Sequence, residues 1–126
     1  MGRFYILCLA VNGLLAVTLG AFGAHELKNW LTPELLETYH TAVQYQMFHS
    51  VALLAVAWLA QSDKGGAALR WSGGLFIAGL LLFCGSLYLL ALSGQHWLGA
   101  ITPVGGVALL AAWALLAKAA WEKSVI

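Results

Sequence analysis

Long apolar stretches alternate with short polar interruptions along the 126 residues. A helix that crosses a bilayer needs about 20 mainly apolar residues. Four stretches reach that length: Phe4 to Ala24, Thr41 to Ala60, Trp71 to Leu92 and Pro103 to Trp121. In lipid the backbone polar groups must be satisfied within the segment, and at this length only helices achieve that. The pattern therefore predicts an all-α membrane protein, a four-transmembrane-helix bundle forming a single domain over residues 1–126. Helix starts are marked twice. Thr32-Pro33-Glu34 combines an N-cap, a first-turn proline and an acid at the positive helix end. Thr102-Pro103 repeats the cap-and-proline signal. The second helix is thus expected from Pro33 to about Ala60, with Glu34, Glu37 and His40 above the hydrocarbon.

Composition agrees with the pattern. Hydrophobic residues make up 62% and charged residues 9%, against roughly 25% charged in soluble domains. Such a chain has little to present to water. A net charge of +1 is too small to hold nucleic acid, so membrane lipids are the partners the composition implies. Arg3, the run Phe4 to Leu19 and Ala21-Phe22-Gly23 have the outline of a signal peptide. The rest of the chain is equally apolar, so the first stretch reads as a span. Cys8 and Cys84 lie in apolar runs without paired spacing and read as free buried thiols.

Charge also predicts orientation. Arg3, Lys64, Arg70, Lys118 and Lys123 would share one side of a four-span protein, and the other side holds only Lys28. The positive-inside rule then places the N and C termini in the cytoplasm. His25, His40 and His96 fall at the outer ends of spans, and His49 lies about two turns deeper by the helical rise. The short N-terminus has no Arg-rich transit signal, which points to a bacterial inner (plasma) membrane rather than a mitochondrial one.

Helices in lipid associate through small residues and interhelical hydrogen bonds. Gly20, Gly23, Gly85, Ser86, Gly105 and Gly106 are the candidate packing positions. Asn12 is polar at depth and must face the bundle. On the second span Tyr45 and His49 share a face at i, i+4, with Gln46 adjacent. The glycines after the first span suggest close approach of another helix, which would bring His25 within reach of Tyr45, Gln46 and His49. These residues, with Asn12, form the expected polar network or ligand site.

Four segments resemble a known family in order: "GAFGAHELK", "YHTAVQYQMFHSVALL", "GLLLFCGSLYLLALSG" and "ITPVGGVALLAAW". The chain is similar to the YgdD/YwdK-like small membrane proteins, domain of unknown function 423, which are related to transmembrane protein 256. The resemblance implies an inner-membrane protein with several spans and no established activity. Its pattern maps onto Gly20, Gly23, Ala24 and His25; Tyr45, Gln46 and His49; Gly85, Ser86 and Tyr88; and Thr102, Pro103, Gly105 and Gly106. Glu26 stands where a glycine is common, and Cys84 where a small hydroxyl residue is frequent.

No HExxH, GxSxG, P-loop or CxxC motif occurs, so no catalytic residue, metal ligand or cofactor is assigned, and an enzyme is the less expected class. Three readings follow. The first is a structural or accessory four-helix protein, with a homo-oligomer or a larger membrane complex as its setting. The second is a ligand-binding protein that takes a metal, haem or quinone-like molecule between His25 and His49. The third is an oligomeric small-solute permease or channel.

Overall fold

A computed structural model describes residues 2–61 and 66–122. Lys64 and Lys123, used above for orientation, lie outside the described residues. The described residues form four α-helices: α1 Gly2–His25, α2 Pro33–Ala60, α3 Ala67–Ser93 and α4 Thr102–Glu122. Two short 3-10 segments, Leu27–Asn29 and His96–Ala100, complete the connections, and the described residues contain no strand. All four helical stretches are long and apolar enough to cross a membrane.

The helix ends follow local chemistry. The Thr32 hydroxyl accepts from the Leu35 amide at 3.2 Å, with Pro33 in the first turn. This satisfies one of the amides that a helix start leaves without a partner. α3 stops at Gly94, whose φ of 73° is left-handed and whose amide donates to the Leu90 carbonyl at 2.8 Å. A glycine takes that conformation without a Cβ penalty. The second proline signal works differently from the expectation. Thr102 is the first residue of α4, and its hydroxyl shares a 2.6 Å hydrogen bond with Ser86 of α3. The threonine ties two helices together instead of capping its own.

Successive helices pack antiparallel, and α2 and α3 form the centre. They bury 50% and 39% of their spans within the protein, against 11% and 17% for the first and fourth spans. α1 lies along α2, and α4 along α3. The main core gathers Leu53, Val56, Leu69, Phe76 and Leu109. A smaller cluster of Leu27, Tyr39, Val43 and Ala91 closes the end where α1 turns into α2.

Small residues set the helix spacing at defined points. Tyr39 is fully buried against Gly23, where an added Cβ would overlap its ring. The Tyr39 hydroxyl donates to the Leu19 carbonyl. At Gly20 a Cβ would press on Val43 at 3.3 Å. Gly105 lies against the backbone of Leu82 and Phe83, and Gly106 faces the Phe83 ring. Gly85 departs from expectation: a Cβ there would meet nothing within 4 Å. The third helix instead makes its close approaches at Gly73, against Tyr5, and at Gly79, against Leu109. Small residues lie on more than one face of α3, and only the packing shows which face meets a neighbour.

Candidate functional site

Polar side chains in the middle of the bundle divide into two groups on either side of α2. Toward α4 stands His49, 3% exposed. Its Nδ1 lies 2.7 Å from the Tyr45 carbonyl one turn earlier. Its Nε2 lies 3.1 Å from the indole Nε1 of Trp113. An indole N–H only donates, so Nε2 accepts; a carbonyl only accepts, so Nδ1 carries the proton. The two contacts assign one neutral tautomer and occupy both ring nitrogens. The rings of Tyr45, Phe48, Phe76 and Trp113 surround the imidazole at centroid distances of 5.3–6.1 Å. Beside it an open groove of about 630 Å³ runs between α2 and α4, floored by Phe83 and edged by Tyr45, Phe48, Val107 and Leu110. Tyr45 packs on Phe83 at 4.5 Å between centroids.

Toward α1 the network is built from Asn12, Gln46, Ser50 and Tyr88. Asn12 Nδ2 donates to the Gln46 carbonyl at 2.9 Å and to the Ser50 hydroxyl at 2.8 Å. The Tyr88 hydroxyl donates to Gln46 Oε1 at 2.6 Å. Asn12 therefore faces α2, and Gln46 links α1, α2 and α3. A second cleft, of about 320 Å³, opens along this network and is bordered by Cys8, Cys84 and Gly85.

His25 does not join either group. It is exposed at the end of α1, and its side chain has no hydrogen bond or ring contact among the described residues. The antiparallel register places Asn12 level with Gln46 and Ser50. His25 lies thirteen residues farther along α1, about 20 Å at 1.5 Å per residue. The expected approach of His25 to Tyr45, Gln46 and His49 is thus corrected. α2 extends two turns above its apolar stretch, and those turns, not the buried polar face, lie opposite the end of α1. The described residues contain no group of three His, Cys, Asp or Glu placed to hold a metal ion.

Sequence reasoning missed Trp113, Ser50 and Ser72, and it left Tyr88 out of the candidate site. Ser72 donates across the bundle to the Ala112 carbonyl at 2.8 Å. A signal for Trp113 was available, since a tryptophan inside a span needs a partner for its N–H. Ser50 stands one turn from Gln46, at the i, i+4 spacing that shares a helix face.

The family model described as "Protein of unknown function (DUF423)" matches residues 19–106. The chain is similar to UPF0382 membrane protein YwdK of Bacillus subtilis (strain 168), 45% identical over 94% of this chain and 96% of that protein. It is 42% identical to a UPF0382 membrane protein of Haemophilus influenzae over 97% of both chains. It is 40% identical to UPF0382 inner membrane protein YgdD of Escherichia coli (strain K12), over 90% of this chain and 86% of that one. No solved structure matches the chain.

Proposed function

We propose that this chain, which belongs to the DUF423 family of unknown function, is a structural or accessory helical unit of the bacterial inner membrane. The observation that carries this reading is the use of polar groups between α2, α3 and α4. His49 is closed by Trp113 and Tyr45, Ser72 by the Ala112 carbonyl, and Ser86 by Thr102. The Tyr45 carbonyl fixes the imidazole within α2, while the Trp113, Ala112 and Thr102 bonds join different helices, and interhelical hydrogen bonds of this kind hold helices together in lipid. The outer helices meanwhile turn Leu14, Val17, Leu110 and Trp121 outward. Those faces suit lipid and the neighbouring chains of a homo-oligomer or larger complex.

A metal or haem between His25 and His49 has little support, because about 20 Å separates them and neither His49 nitrogen has a free lone pair. Arg3, Arg70 and Lys118 lie at one end of the antiparallel helices and Lys28 at the other. That supports cytoplasmic termini, and the E. coli relative's inner-membrane name supports the location.

The test is extraction into native lipid nanodiscs, followed by native mass spectrometry, elemental analysis and an absorption spectrum. The accessory reading expects an assembly heavier than one 13.4 kDa chain, without stoichiometric transition metal or a Soret band. A strict monomer, or a stoichiometric metal or haem, would overturn it.

A further inference from the structure

The network beside α1 is not closed in the way the α4 side is. Gln46 is 7% exposed, and its Oε1 accepts from Tyr88. Its Nε2 has no partner among the described residues. Asn12 uses its Nδ2 twice, toward the Gln46 carbonyl and Ser50, and its Oδ1 likewise has no partner there. No fully enclosed side-chain nitrogen or oxygen among the described residues lacks a hydrogen bond. These two atoms are therefore open to the space beside them, and both residues border the 320 Å³ cleft. Asn12 is the eleventh of 24 residues in α1, and Gln46 the fourteenth of 28 in α2. Both stand at mid-helix, where hydrocarbon offers no hydrogen bonds.

We propose that this cleft between α1 and α3 binds a neutral, long-chain lipid that bears a free hydroxyl. The two open atoms are one donor and one acceptor. A hydroxyl matches both, accepting from Gln46 Nε2 and donating to Asn12 Oδ1. A ketone or ester carbonyl can only accept, and an ammonium can only donate. A carboxylate or phosphate would bring a charge to a depth where charge is expensive. The remaining walls are apolar, with Val11, Leu15, Ile77 and Leu81 among them, and fit a hydrocarbon chain. Gly85 borders the same cleft, and a Cβ there would meet nothing. Its missing side chain leaves the mouth open instead of serving a helix contact. This site goes beyond the accessory role proposed above and stands on separate residues.

The experiment uses the full chain in lipid nanodiscs and a long-chain primary alcohol with a mid-chain diazirine. The matched methyl ether keeps the acceptor and lacks the donor, and the matched alkane lacks both. The alcohol is expected to label peptides of α1 and α3 at least fivefold more than either analogue, and unlabelled alcohol should compete. Gly85→Leu should abolish that preference while the melting temperature is kept, since leucine is a better helix former than glycine. If Gly85→Leu does not fold, Leu81→Trp, at an exposed position on the rim, fills the same mouth. Equal labelling by the three probes would overturn the proposal by showing unselective lipid contact. A preference that survives both mouth-filling variants would overturn it too. So would water alone as the partner of the two atoms, seen as ordered solvent in an experimental map without lipid density.

Discussion

Replacing Gly23 with alanine sets one methyl group against the Tyr39 ring. The new Cβ would come within 2.9 Å of Tyr39 Cδ1 and closer still to Cε1. The ring has no easy way to yield. It is 0% exposed, its hydroxyl is held by the Leu19 carbonyl, and Tyr88 stands edge-on at 5.1 Å. Overpacking of this kind costs about 1–3 kcal/mol. Losing the hydroxyl bond as the ring shifts adds about 1 kcal/mol. Alanine regains up to about 1 kcal/mol over glycine in a helix. The balance is a net loss of about 1–3 kcal/mol. Gly13→Ala is the control, because its Cβ would meet nothing within 4 Å and only the helix gain remains. Reversible denaturant unfolding in mixed micelles measures both variants. A Tyr39→Leu background should remove most of the Gly23→Ala penalty, since the two residues touch. The reasoning is refuted if Gly23→Ala is as stable as Gly13→Ala, or if its cost is unchanged in the Tyr39→Leu background.

Double-mutant cycles test the polar centre. His49→Ala and Trp113→Phe should couple by about 0.5–3 kcal/mol, because each leaves the other's nitrogen without its partner. His25→Ala should cost no more than about 0.5 kcal/mol and add independently to His49→Ala; strong coupling between the two histidines would contradict the register of α1 on α2. Orientation is read by impermeant maleimide labelling of intact cells, with Cys8 and Cys84 replaced by alanine. A cysteine introduced at Asn29 should react and one at Glu122 should not, and the reverse result would invert the topology.

The four helices were legible from the chain itself. An apolar stretch of spanning length has one way to satisfy its backbone in lipid, whatever its neighbours do. The start of α2 was legible for an equally local reason, since Thr32, Pro33 and Glu34 act within a single turn. Asn12 could be assigned to the interior because a carboxamide facing lipid is costly. Tertiary structure decided everything that depends on one helix sliding or turning against another. The axial register put His25 about 20 Å from His49, and that register comes from contacts such as Gly23 on Tyr39 and Asn12 on Ser50. The rotation of α3 made Gly79 a seam and left Gly85 at an open cleft. It also brought Tyr88 to Gln46, while the placement of α4 against α2 brought Trp113 to His49. Helical periodicity states which residues share a face. Which helix that face meets, and at what height, is set by the packing of all four together.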